Sequence, residues 1–183
     1  MDTNITDCFS ENHQSLFGIG VINRNDVLST YVLHYIFHKD KRLVRLIRGR
    51  KCRTTQHFMD EIGAVLQYPP CFGENWYALE DCLTTLYECR PFCEILLLID
   101  GLSQFLVEED NEQIKAFITT FANARNYWMR EIQDEYDEWD NHLKTPFKCL
   151  LLQQHDECTS NLNRFENLFN ALEIEYTISN QEH

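Results

Sequence analysis

Between Gly73 and Glu88 the chain carries four carboxylates, Glu74, Glu80, Asp81 and Glu88, and no lysine or arginine. On a helical wheel at about 100° per residue, Leu79, Cys82, Leu83 and Leu86 fall at i, i+3, i+4 and i+7 and make one apolar stripe. Tyr77, Asp81, Thr84 and Glu88 fall on the opposite side, with Glu80 and Thr85 as flanks. Such a helix shows solvent a face of one charge sign, which attracts a cationic partner; the same pattern also describes an ordinary solvated helix face. Glu80 and Asp81 are adjacent and point to different sides of the helix, so they do not form the shared pair that acid and base catalysis needs.

Other residue types that can do chemistry are poorly arranged for it. His34 and His38 have the i, i+4 spacing that chelates a metal, without the glutamate of the zinc hydrolase motif or an obvious third ligand. Cys89 and Cys93 enclose Arg90-Pro91-Phe92, wider than a redox pair, and His155-Asp156-Glu157-Cys158 has no second half. Gly18-Ile19-Gly20 lacks the third glycine and the preceding strand of a phosphate-cradling loop, and no nucleophile elbow is present. No catalytic residue, cofactor or metal is expected.

The elements that must position the acidic helix follow from periodicity and breakers. Phe17 to Asn23 reads as a short strand and Val27 to Phe37 as a helix packed on a sheet. Arg42 to Arg48 reads as a strand by its position more than by its imperfect alternation. Thr54 can cap the helix whose apolar Phe58, Ile62, Val65 and Leu66 recur at helical spacing. Glu94 to Asp100 is a nearly continuous apolar run, the signature of a parallel strand covered on both faces, and Gly101 ends it. Ile114, Phe117, Ile118 and Phe121 mark a long helix, Phe147 to Leu152 a further strand, and Phe165, Leu168, Phe169 and Leu172 another amphipathic helix. Ile174, Tyr176 and Ile178 alternate like a last strand. The fold class is α/β: a small, mostly parallel sheet with helices packed on it.

The stretch Cys71-Phe72-Gly73-Glu74-Asn75-Trp76-Tyr77-Ala78-Leu79-Glu80-Asp81-Cys82-Leu83-Thr84 resembles, without gaps, the defining segment of the barstar family, small proteins that bind and block ribonucleases. Leu43 to Gly49 is similar to the family's first strand and glycine turn, Thr54 to Leu66 to its first helix, Glu94 to Asp100 to its central strand, Gln113 to Trp128 to its long later helix, and Pro146 to Leu152 to its closing strand. The resemblance covers residues 43–153, which implies one barstar-like domain over 1–183 with an N-terminal extension 1–42 and a C-terminal helix and strand extension 154–183. It also implies a mechanism: the second helix and the loop before it enter a nuclease active site, where carboxylates take the places of substrate phosphates. The partner-binding residues it implies are Cys71, Phe72, Gly73, Trp76, Tyr77, Glu80, Asp81, Thr84, Thr85 and Glu88, with Asp81 at the family's most important acidic position. The best-studied member has Asp where this chain has Tyr77, Trp where it has Glu80 and Tyr where it has Cys71, and its further acidic contact aligns near the neutral Asn123. These departures imply a different nuclease, or a different docking.

At 183 residues the chain fits one domain, which buries roughly 70% of its unfolded surface. A net charge of −13 disfavours binding nucleic acid with the whole surface and favours recruitment of basic proteins, faster at low salt. The opening Met1-Asp2-Thr3-Asn4 has no basic region leading into an apolar core, so a cytoplasmic location and reduced thiols for the eight cysteines are expected. The longest apolar run, Ile95 to Ile99, is far below the roughly 20 residues that span a membrane.

The expected partner is therefore a cationic nuclease toxin domain, bound by a monomeric bacterial immunity protein of the toxin and immunity type, including contact-dependent growth inhibition. Two other readings stand beside it. One is a regulatory or scaffold module with a non-nuclease partner. The other is a nucleic-acid-binding module using Lys39, Lys41, Arg42, Arg45, Arg48, Arg50, Lys51 and Arg53, unless those cations pair with surrounding carboxylates. The acidic decade Glu131 to Asp140 either continues the long helix or follows its end.

Overall fold

The computed structural model describes residues 15–22, 42–85, 94–130 and 144–180. Its sheet is organised around β3, Glu94–Asp100, in which all seven residues are buried. The apolar run Ile95 to Ile99 has no polar face to give to water, so both of its sides must be covered. One neighbour of β3 is β2, Arg42–Arg48, and the other is β4, Phe147–Gln154. β1, Phe17–Ile22, lies beyond β4, and β5, Tyr176–Asn180, lies beyond β1, giving the order β2-β3-β4-β1-β5. Every pairing is parallel, sharper than the mostly parallel sheet the sequence implies.

Parallel pairing fixes which side chains share a face. Leu43 pairs with Ile95, Ile95 with Phe147, Leu97 with Cys149, and Cys149 with Phe17, so these residues line one side together. Against that side pack α1 (Thr55–Leu66), α2 (Trp76–Thr84), α3 (Asn111–Trp128) and α4 (Ser160–Ala171). The other side carries a smaller buried cluster of Ile22, Leu96, Leu98, Leu150 and Leu152, to which no described helix contributes. The helix expected over Val27 to Phe37 lies outside the described residues, as do His34 and His38.

Phe117 of α3 sits at the centre of the main core. Its ring lies 5.9 Å from Phe17, 5.7 Å from Phe58, 6.4 Å from Trp76, 5.1 Å from Phe105, 4.5 Å from Phe121 and 6.2 Å from Phe165, centroid to centroid. These are edge and tilted geometries that suit the ring quadrupoles. Ile114, Ile118 and Phe121, predicted as the buried stripe of this helix, are fully buried beside it.

Helix starts follow local chemistry. Thr54 accepts a hydrogen bond from the His57 N–H at 3.3 Å, and Asp110 accepts one from the Gln113 N–H at 3.0 Å, each satisfying a first-turn donor without an intrahelical partner. α3 ends at Trp128, with Arg125 in its last turn, so the helix stops before the acidic decade; residues 131–140 lie outside the described residues. Gly101, at φ +86°, ends β3 in a conformation that glycine adopts freely, and its N–H donates to Leu152 O at 3.0 Å.

Gly49, in the 3-10 turn Gly49–Lys51 after β2, lets that turn lie on the end of β3. A methyl group there would stand 2.7 Å from Asp100 O and 2.9 Å from Ile99 Cγ2. Gly49→Ala is therefore expected to destabilise the fold by about 1–3 kcal/mol, the range for overpacking. A urea titration would show it as a lower midpoint at unchanged slope.

Arg42 and Arg48 of β2, Arg50 of the turn after it and Arg53 meet carboxylates. Arg42 Nε is 3.0 Å from Glu94, Arg48 grips Glu61 through two bonds of 2.7 Å, Arg50 is 3.8 Å from Asp100, and Arg53 is 2.6 Å from Glu108. Arg53 also donates to Gln104. The hydrogen bonds from Arg48 hold the Glu61 carboxyl below its usual range. For these four arginines this is the pairing the sequence offered as the alternative to a nucleic-acid patch, while Arg45 donates to Val44 O at 3.1 Å; Lys39 and Lys41 lie outside the described residues.

Candidate protein-binding site

The loop before α2 is shaped by its own backbone. Gln67 ends α1 in the left-handed region at φ 56°, and the Tyr68 N–H reaches back to Gly63 O at 2.9 Å. A turn follows in which the Phe72 N–H donates to Pro69 O at 2.9 Å. The Phe72 ring is half-buried, 5.0 Å from the Tyr68 ring, and a methyl group on Gly63 would lie 3.3 Å from it. Phe72 therefore anchors the loop more than it faces solvent, while Cys71 and Gly73 are exposed.

Asn75 starts the helix. Its Oδ1 accepts from the Ala78 N–H at 3.0 Å, and its Nδ2 donates to Gly73 O at 2.8 Å. One side chain thus caps α2 and ties down the glycine of the loop. Asn75→Ala is expected to cost about 0.5–2 kcal/mol of stability, with faster hydrogen exchange at the Ala78 amide as the local reading.

Two indoles hold α2 on α3. Trp76 Nε1 donates to Gln113 Oε1 at 2.8 Å near the start of both helices, and Trp128 Nε1 donates to Leu83 O at 2.8 Å near their ends. The two helices consequently run in the same direction. Leu79 and Leu83 are fully buried between these bonds, and Cys82 is half-buried, as the predicted stripe requires. Trp76, implied by resemblance as a contact residue, is half-buried, its ring 5.9 Å from Phe58.

What remains for solvent is narrower than the residue set derived from sequence. Tyr77 is 89% exposed. Asp81 is exposed one turn further on, and Glu80 is half-buried. Asn123 of α3 donates from Nδ2 to Glu80 Oε2 at 2.8 Å, so the position aligned with a family acid is instead a neutral partner to an acid of α2. Glu74, at φ 48°, accepts from Gln56 Nε2 at 2.8 Å. No described lysine or arginine forms an ion pair with Glu74, Glu80 or Asp81. The Thr84 hydroxyl donates within α2 to the carbonyls of Glu80 or Asp81, and Thr85 Oγ1 donates to Asp81 O at 2.8 Å, so their protons are used inside the helix. Glu88 and Leu86 lie outside the described residues.

Sequence reasoning did not assign Asn75, Gln113 or Gln56 a role. Asn75 had a readable signal, a capping side chain ahead of an apolar-periodic run. Gln113 and Gln56 had none, because their bonds cross 37 and 18 residues of chain.

The family model for barstar, described as barnase inhibitor, matches residues 42–152, that is β2 through most of β4 with α1, α2 and α3 between. The chain belongs to the barstar family. The matched span agrees with the 43–153 expected from the motifs, and the barstar segment therefore forms the β2-β3-β4 half of the sheet, with β1, α4 and β5 added outside it. No curated protein matches the chain. Among solved structures it is similar to the Aeropyrum pernix ORC2 protein, solved in ADPNP-ADP complexes, with a TM-score of 0.52 at 10% identity over 91% of this chain and 42% of that one. That likeness shows the α/β fold alone, and the chain spans less than half the length of that protein. Gly18 and Gly20 lie within β1, paired with Leu150 and Leu152, and not in a loop beyond the strand where a phosphate would be cradled.

The described cysteines, Cys52, Cys71, Cys82, Cys149 and Cys158, are free thiols. Burial pushes Cys52 up to about 12 and raises Cys149, so both are protonated and inert at neutral pH. Among the described residues no His, Cys, Asp and Glu group is placed to hold a metal ion, and no helix is long and apolar enough to cross a membrane.

Proposed function

We propose that this chain inhibits a cationic nuclease, most simply a ribonuclease, by covering its active site with α2 and the loop from Cys71 to Asn75. The observation that carries the reading is the exposed surface of α2. In a protein of the barstar family, Tyr77 and Asp81 face solvent on a helix clamped from behind, and no described cation pairs with the helix carboxylates. Three carboxylates on a chain of net charge −13 present the field that a nuclease active site, built to hold phosphates, would meet. The protein performs no chemistry itself in this scheme. It acts as a monomeric immunity protein in the cytoplasm of a bacterium, with residues 1–183 as one domain.

The test is a pull-down from the native organism with the wild-type chain beside Asp81→Ala, followed by mass spectrometry and a nuclease assay on the captured partner after denaturant has separated it from the chain and it has been refolded alone. A basic nuclease retained by wild type and lost from the variant is the expected result. A partner without nuclease activity would instead establish the regulatory or scaffold reading.

A further inference from the structure

We infer that α2 recognises an arginine of its partner, held between the ring of Tyr77 and the carboxylate of Asp81, and that this clamp selects which nuclease the chain accepts. The inference rests on the inhibitor reading and adds to it the chemistry of the contact.

Tyr77 and Ile178 are the exposed large apolar side chains among the described residues, and Tyr77 is far the more exposed, 89% against 42%. One exposed aromatic is ordinary on a protein surface. What distinguishes Tyr77 is its neighbour: Asp81 stands at i+4, so the two Cβ atoms lie about 5–6 Å apart on one face of the helix. The other groups of this surface are already engaged. Glu80 receives Asn123, Glu74 receives Gln56, Thr84 and Thr85 donate to their own helix, and the Trp76 N–H is taken by Gln113. No described donor reaches the Asp81 carboxylate. The open chemistry is thus one aromatic face and one anion, side by side.

A guanidinium fits both at once. It is flat, so it stacks on a ring, and its edge presents parallel N–H groups that match a carboxylate. A lysine ammonium, a hydrated point charge, satisfies the carboxylate alone. The support beneath is rigid: Leu79 and Leu83 are fully buried, and the Trp128 indole is bonded to Leu83 O, so little ordering cost falls on binding.

The test uses the nuclease recovered with the wild-type chain. Dissociation rates are measured for Tyr77→Phe, Tyr77→Leu and Asp81→Ala, and the nuclease, free and bound, is labelled in parallel with an arginine-selective dicarbonyl and an amine-selective acylating reagent and mapped by mass spectrometry. Tyr77 is exposed and both replacements suit a helix, and unchanged urea midpoints confirm that the variants fold. Tyr77→Phe should bind within about threefold of wild type, and Tyr77→Leu should bind about five- to thirty-fold more weakly. One nuclease arginine should be protected by wild type and re-exposed with Tyr77→Leu. Unchanged binding by Tyr77→Leu, or protection confined to lysines, overturns the clamp. If Asp81→Ala still abolishes binding, the inhibitor reading survives that result; if neither variant weakens binding, both fall.

Discussion

Replacing Asp81 by alanine is expected to weaken the complex with the partner nuclease by about 2–5 kcal/mol, a loss of roughly thirty-fold to several thousand-fold. Asp81 is exposed in the isolated chain and has no described cationic partner, so its removal leaves the fold unchanged. The loss arises in the complex, where the cation that Asp81 would neutralise is stranded away from water. Because the charge pair is buried only after docking, the change should appear mainly as faster dissociation. Glu80→Ala provides the comparison. Its carboxylate is already bonded to Asn123 and half-buried, so a smaller effect is expected there. Surface plasmon resonance on the two variants separates them, and equal effects at both positions would mean that the whole face acts as a diffuse field.

Phe117→Ala is the second large effect, on stability. The ring is fully buried and touches six other aromatic rings from β1, α1, α2, α3, α4 and the segment after β3. Truncating a buried phenylalanine costs about 3–5 kcal/mol in lost transfer energy and residual cavity. Domains are stable by only about 5–15 kcal/mol in all, so the variant should stand close to unfolding at physiological temperature. Binding should be impaired as well, because Trp76, which seats α2, rests 6.4 Å from the same ring. Urea unfolding followed by tryptophan fluorescence measures the first effect, and a binding assay at low temperature, where the variant is still folded, measures the second.

The sheet was legible because its strands are written in burial. The run from Ile95 to Ile99 leaves no choice but a strand covered on both sides, and the stripe of Leu79 and Leu83 orients α2 without reference to anything else in the chain. The strand Tyr176–Asn180 was legible from alternation, but its place beside β1 was not, since a parallel partner is chosen by contacts far apart in sequence. The site was legible in part. Tyr77 and Asp81 fell on the solvent side of the wheel and are found there. Trp76 was assigned to the binding surface by resemblance, yet its indole is turned to Gln113, because an amphipathic ring next to an apolar stripe is decided by whichever acceptor stands opposite. The bond between Asn123 and Glu80 joins residues 43 positions apart and leaves no periodic trace. Position in sequence suggested a lost acidic contact at Asn123, and the structure shows a neutral side chain holding an acid.

The most direct measurement is a titration of the purified chain into the nuclease it captures, with cleavage of a labelled RNA as the readout. Cleavage that falls linearly to zero at one equivalent of chain, and that persists when Asp81→Ala is added at the same concentration, is the predicted result. Cleavage undiminished by an excess of the wild-type chain, while the two proteins remain bound, would contradict active-site occlusion by α2.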